Sequence, residues 1–255
     1  MRLHRDGLAL GYEESGAGEP SLLLVHGWGT RRGVFEPLVR TFSDTHRVVA
    51  VDLRGHGESD ASVENVSVET FAEDAAWLAS ALDLLRPVII GHSLGGLVAL
   101  EFASRFDARA AILLECHVAA PPSVAAALEP AIARLETAEY RVTAGALLGL
   151  LLGERFDPAL RAEMIAYARS LPQRVLSQTL RAALAYDGET AAARIRCPIL
   201  YVGSPTPYAN LPRFRELCPE LATAELVDCG HYFPLEVPEQ LHPVLRRFLS
   251  SPSAP

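Results

Sequence analysis

Gly91-His92-Ser93-Leu94-Gly95 sets a serine between glycines, directly after the apolar run Val88-Ile89-Ile90 and at the start of a stretch with helical periodicity. Strand and helix can approach closely at such a turn only if its neighbours are small, and the turn then presents the hydroxyl as a nucleophile. A serine hydroxyl needs a base to take its proton. Of the eight histidines, His231 in Asp228-Cys229-Gly230-His231 is the candidate, in a glycine-opened loop after the last apolar strand signal. That position is the carboxyl end of a sheet, where α/β sites form. His26, His56 and His92 lie inside turn sequences and are expected to be packed or hydrogen-bonded there, while His4, His46 and His242 are peripheral. A tetrahedral oxyanion needs two converging backbone N–H donors. His26-Gly27-Trp28-Gly29, after the apolar Leu22 to Val25, can supply one from Trp28, and the helix start after the nucleophile supplies one from Leu94.

The elements that must position these residues are legible as short apolar runs. Leu22 to Val25, Val48 to Val51, Val88 to Ile90 and Ala111 to Leu114 are too short for helices and apolar throughout, as strands buried on both faces should be. Helical periodicity fills Val68 to Leu85 and Leu94 to Phe106. Alternation of strand and helix predicts a parallel sheet covered on both faces, an α/β fold. Met1 to Ser15, turning at Asp6-Gly7, reads as an opening hairpin. The rhythm breaks at Ala119-Ala120-Pro121-Pro122, and up to about Tyr186 the chain is Ala/Leu-rich and helical. Strand signals resume at Pro198 to Val202 and at Glu225 to Val227, before a final helix over Pro238 to Leu249. The organisation predicted is a core over 1–118, a helical cap over 119–190 and the rest of the core over 191–255.

Composition narrows the chemistry. All 23 basic residues among the 255 are arginines, which removes Schiff-base enzymes, the P-loop lysine and the Ser-x-x-Lys pair. A net charge of -8 argues against tracking nucleic-acid phosphates, and no apolar stretch reaches the length of a membrane span. Cys116, Cys197, Cys218 and Cys229 show neither Cys-x-x-Cys nor zinc spacing and read as reduced thiols. The expectation is a cytoplasmic protein, monomer or homodimer, with a small-molecule substrate and no nucleic-acid or membrane partner.

His26-Gly27-Trp28-Gly29, Asp52-Leu53-Arg54-Gly55-His56-Gly57-Glu58-Ser59, Gly91 to Gly96 and Gly230-His231 together resemble the α/β-hydrolase superfamily over nearly the whole chain except the helical insertion. The resemblance implies a mostly parallel central sheet with helices on both faces, a cap over an acyl pocket, and a triad in the order Ser, acid, His. It implies no metal and no organic cofactor. The Asp52 to Ser59 turn is expected to brace the site loops.

The acid departs from the family's pattern. Small relatives usually carry it in a Gly-x-x-Asp segment after the strand equivalent to Ile199 to Val202; here Gly203-Ser204-Pro205-Thr206 has Thr206 at that place, and no Asp or Glu occurs between Glu189 and Glu216. Glu115 ends the preceding buried strand at the same sheet edge, and a carboxylate there needs a partner. Some α/β-hydrolases carry the acid after this strand, and Glu115 resembles that arrangement. The triad expected is therefore Ser93, Glu115 and His231, with Asp228 the rival acid and an ion pair to His117 the structural alternative for Glu115.

The reaction implied is cleavage of a carboxylic ester, or a related acyl bond, of a mainly apolar molecule through an acyl-enzyme. Two alternatives stay open. An acid after this strand also resembles the cofactor-independent ring-cleaving dioxygenases of the same fold, and a non-catalytic binding or sensor module is the other. Leu147, Leu148, Leu150, Leu151 and Leu152 read as a buried cap helix, part of which lines the pocket. Trp28, Tyr140, Tyr167, Tyr208 and Tyr232 are the aromatic candidates for the cleft.

Overall fold

Among the described residues, eight strands form one sheet in the order β1-β2-β4-β3-β5-β6-β7-β8. The computed structural model describes residues 1–5, 7–61, 65–119, 122–153, 156–205 and 208–250. Asp6 of the hairpin turn, Ala120-Pro121 at the break in rhythm and Thr206 at the missing acid lie outside the described residues.

In chain order the elements are β1 (Arg2–Arg5), β2 (Leu8–Ser15), β3 (Leu22–Val25), α1 (Glu36–Phe42), β4 (Val48–Val51), α2 (Val68–Ala81), β5 (Val88–His92), α3 (Leu94–Arg105) and β6 (Ala110–Leu114). Four helices follow, α4 (Pro122–Leu135), α5 (Tyr140–Leu151), α6 (Pro158–Ser170) and α7 (Gln173–Ala185). The chain then returns through α8 (Gly188–Arg194), β7 (Ile199–Gly203), α9 (Leu211–Leu217), β8 (Ala222–Glu225), α10 (Phe233–Glu236) and α11 (Pro238–Leu249). β1 and β2 form the antiparallel hairpin, β2 pairs antiparallel with β4, and β3 to β8 run parallel to one another.

Successive strand residues point to opposite faces, and both faces are filled. Leu23, Val25, Val49, Ile89, Leu113 and Tyr201 join the core under α2, α3 and α8, whereas Leu22, Leu24, Ala50, Ile90, Ile112 and Val202 join the core under α1, α10 and α11. The register sets the site. His92 pairs with Leu114, so Ser93 and Glu115 leave adjacent parallel strands at one level, each tied to the next strand by its own amide: Ser93 N to Leu114 O at 2.9 Å and Glu115 N to Val202 O at 2.9 Å.

Two expected boundaries move. The helix expected over Val68 to Leu85 ends at Ala81, where Asp83 takes φ 52° and the Leu84 amide reaches back to Ala79 O at 2.9 Å, so a left-handed cap closes the helix and leaves Leu85 80% exposed. The last strand lies at Ala222–Glu225 rather than Glu225 to Val227. It is an edge strand with a mostly exposed, Ala/Thr surface, held by backbone pairing to β7, so it lacks the apolar run that marks the others.

Candidate active site

The nucleophile turn is held by contacts that leave no room for side chains. A methyl at Gly91 would lie 1.8 Å from the Gly95 carbonyl oxygen, and one at Gly95 would lie 2.0 Å from that of Val25. Strand, turn and helix can therefore meet only with glycine at both places. Ser93 takes φ 55° and ψ -119°, a left-handed conformation costly for a residue with a Cβ. It opens α3, yet its side chain makes no capping bond to the helix. Serine at a helix start ordinarily spends its hydroxyl on a cap; here the hydroxyl faces a cavity instead.

That cavity has a volume of about 220 Å³ and brings together Ser93, His231, Glu115, Trp28 and Leu94, the five residues singled out in the sequence. Its roof comes from the helical insertion: Leu128 of α4, Leu147, Leu150 and Leu151 of α5, and Leu180 and Leu184 of α7. Positions 147, 150 and 151 share one face of α5; against the expectation of a buried helix, Leu150 is 83% exposed, whereas Leu148 is fully buried in the core. Of the aromatic candidates, Trp28 and Tyr208 line the cavity. Tyr232 is buried with its hydroxyl 3.3 Å from Trp28 O, Tyr167 accepts from the Gly57 amide at 2.6 Å, and Tyr140 lies under Arg141. A larger open depression of about 660 Å³ beside α2 and α7 is lined by Ser67, Glu69, Arg174, Arg181 and other residues, none of which belongs to this constellation.

Trp28 is anchored through Nε1, which donates to Leu176 O at 2.8 Å. Among the described residues, no carbonyl accepts from its backbone amide or from that of Leu94. Both N–H groups thus stay available beside Ser93. The preceding His26 is fully buried; its Nδ1 donates to Gly27 O at 2.8 Å and its Nε2 accepts from the Leu53 amide at 3.0 Å, which fixes the tautomer. Asp52, also fully buried, accepts from the Arg32 and Glu58 amides and pairs with the Arg32 guanidinium, so this turn braces the site loops.

His231 is buried, and its backbone is clamped on both sides. Its amide donates to Leu151 O at 3.1 Å, at the end of α5, and its carbonyl accepts from His92 Nε2 at 2.8 Å. The role of His92 as a brace escapes sequence reading, because its partner lies 139 positions away. Burial, reinforced by His92 and His117, holds the His231 ring well below the ordinary value of 6.5, so it rests neutral, the state a general base needs.

The acid half differs from expectation. Glu115 is 1% exposed, with φ 47°, and lines the cavity, but its carboxylate does not bond to His231. It accepts from the amides of Ser204 at 2.5 Å and Tyr208 at 3.1 Å and from the Tyr201 hydroxyl at 3.5 Å. The turn after β7 that lacks an aspartate thus wraps its amides around the glutamate of the neighbouring strand. Burial raises the Glu115 carboxyl above its ordinary value, and these hydrogen bonds only partly offset it. Nδ1 of His231 is buried without a hydrogen-bond partner among the described residues, with the Tyr208 ring edge-on at 5.1 Å. Asp228 is exposed and does not line the cavity. The Glu115–His117 ion pair does not form: His117 Nε2 bonds to Ala183 O at 2.9 Å. All four cysteines are free thiols.

Comparison with known proteins identifies the family. The model of the alpha/beta hydrolase family matches residues 22–244, and the chain belongs to that family. An uncharacterized protein of Mycobacterium tuberculosis is 44% identical over 91 residues, 34% of this chain and 26% of that one, so the match spans about a quarter of that relative's length. The 3-oxoadipate enol-lactonase 1 of Acinetobacter baylyi is 26% identical over 98% of this chain and 97% of its own. The solved enol-lactonase of Burkholderia xenovorans LB400 superposes with a TM-score of 0.89 at 21% identity, over 98% of this chain and 100% of that one. Among the described residues, no helix is long and apolar enough to cross a membrane.

Proposed function

We propose that the protein is a serine hydrolase that cleaves carboxylic esters or lactones of small, mainly apolar molecules through an acyl-enzyme. The observation that carries this reading is the strained Ser93, its hydroxyl unused as a helix cap, sharing an apolar-roofed cavity with a neutral buried histidine and two uncommitted amides. Ser93 Oγ attacks the carbonyl carbon while His231 takes its proton; the oxyanion settles between the Trp28 and Leu94 amides. His231 then returns the proton to the leaving alcohol, and a water activated by the same ring releases the acid.

Glu115 is the acid of this reading, as the carboxylate that shares the cavity with the unpartnered Nδ1. As His231 gains its proton, the carboxylate turns from the Tyr208 amide to Nδ1, so the charge pair forms only when charge develops. A cavity of about 220 Å³ is below the usual range for drug-sized ligands and suits a small substrate. The resemblance to an enol-lactonase over the whole chain supports an ester or lactone bond as the target.

The test is labelling with a fluorophosphonate, followed by turnover of 4-nitrophenyl esters. Modification of Ser93 and its loss in Ser93→Ala are expected. Full turnover by Ser93→Ala would sink the reading, and oxygen consumption with a hydroxylated heteroaromatic ring by that same variant would put ring cleavage in its place.

A further inference from the structure

The mechanism leaves His117 and Tyr208, two polar side chains of the cavity, without a task. His117 follows β6 and lines the cavity together with the leucines of α5 and α7. Its Nε2 lies 2.9 Å from the carbonyl oxygen of Ala183, in the last turn of α7. Carbonyls there have no partner within the helix, so this one takes a hydrogen from the ring. A carbonyl only accepts, hence Nε2 carries the proton and Nδ1 keeps its lone pair. Burial holds the ring below the ordinary value, which keeps it neutral near pH 7. Among the described residues no group bonds to Nδ1, and the atom is not fully buried, so it is open where the ring lines the cavity. His117 shares this one small cavity with Ser93 and His231, so a substrate whose carbonyl meets Ser93 also meets the His117 ring.

With no bond to Nδ1 from the described residues, this acceptor in a mainly apolar cavity is satisfied by a donor that enters with solvent or with a ligand. We infer that Nδ1 of His117 accepts a hydrogen bond from a hydroxyl or N–H group carried by the substrate near its reacting carbonyl, so that donor-bearing esters or lactones are preferred over plain alkyl esters. The inference rests on the ester-hydrolase reading. A site built around a hydrogen bond discriminates strongly against the analogue that lacks the group, because the buried acceptor is then left bare.

The experiment compares kcat/KM for 4-nitrophenyl butyrate with its 2-hydroxy, 3-hydroxy and 3-amino-N-acetyl derivatives, in the intact protein and in His117→Leu and His117→Gln. At least one donor-bearing ester is expected to exceed the parent by about tenfold or more. That ratio should fall to near one in His117→Leu and persist in His117→Gln, whose amide can donate to Ala183 and still offer an oxygen to the cavity. If His117 served only to cap α7, all four esters would change together and the ratio would not move; an unchanged ratio in His117→Leu, or no preference in the intact protein, overturns the inference. Should His117→Leu fail to fold, His117→Ala, which likewise lacks an acceptor, is expected to bring the ratio to near one, and an unmoved ratio there overturns the inference. Should the esters turn over too slowly, the same ratio is read from their protection of Ser93 against the fluorophosphonate. Failure to label Ser93 at all would count against the hydrolase reading, whereas a labelled Ser93 with an unmoved ratio counts against the His117 assignment alone.

Discussion

Ser93 and Glu115 occupy matching places, the first residue past two adjacent parallel strands, both with positive φ, and they are held in opposite ways. At Ser93 the backbone is over-determined by the glycine contacts of the turn, and the side chain carries no cap bond. At Glu115 three donors fix the side chain itself. A nucleophile must keep its oxygen free for substrate, so its position has to be set by the main chain. A carboxylate buried in an apolar setting must be hydrogen-bonded, or its charge is too costly. The two turns solve these different problems on the same sheet edge.

The comparison can be broken first at the nucleophile. Ser93→Ala should cut ester turnover by at least about 10⁴-fold with little change in melting temperature, because no side-chain bond of Ser93 supports the fold. Gly95→Ala attacks the same turn through the main chain: with the added methyl 2.0 Å from Val25 O, a stability loss of about 3 kcal/mol or more is expected in denaturant melts.

At the acid turn, Glu115→Gln should lower kcat by roughly 10²- to 10⁴-fold and also cost about 1–3 kcal/mol of stability, because an amide nitrogen would face a donor there. Asp228→Asn should leave kcat within about twofold; the reverse pattern would move the acid to Asp228. Tyr201→Phe removes the hydroxyl that donates to Glu115 and Cys116 O over 3.2–3.5 Å, so a loss of about 1 kcal/mol is expected, with kcat nearly intact.

The pH profile sharpens the contrast further. With His231 held below 6.5 by burial, the acid limb of kcat/KM should fall below that value; a limb above it would mean that Glu115 already pairs with Nδ1 in the free enzyme. Stability follows the same sign. His56 is lowered to about 3 and His92 to about 4, so below pH 6.5 the unfolded chain binds protons that the folded one refuses. Each then removes on the order of 1.4 kcal/mol per pH unit down to its folded value. Thermal melts from pH 7 to pH 4 should show a steadily falling midpoint, and a flat curve would contradict the buried, neutral state of these rings.

Much of this was legible along the chain. β3 to β7 announce themselves because strands covered on both faces must be apolar at every position. The sequence places the start of β8 three residues late because an edge strand is held by backbone bonds, which leave little trace in side-chain type. Ser93 and His231 were legible because their turns are local, built from glycines within a few residues. The partners of Glu115 were not, since Ser204 and Tyr208 stand 89 and 93 positions away and donate through their main chain, which every residue but proline can do.

By itself, then, the order of residues determined the α/β core, the elbow that exposes Ser93 and the histidine that follows the last strand. These depend on periodicity and on steric limits at short range. Only the tertiary structure decided that the Glu115 carboxylate rests on the turn after β7 rather than on His231, that leucines of α4, α5 and α7 line one small cavity, and that His117 bonds to the end of α7 beside it. Each of those outcomes rests on a hydrogen bond or contact between segments far apart in the chain, and the geometry of that contact is set by packing.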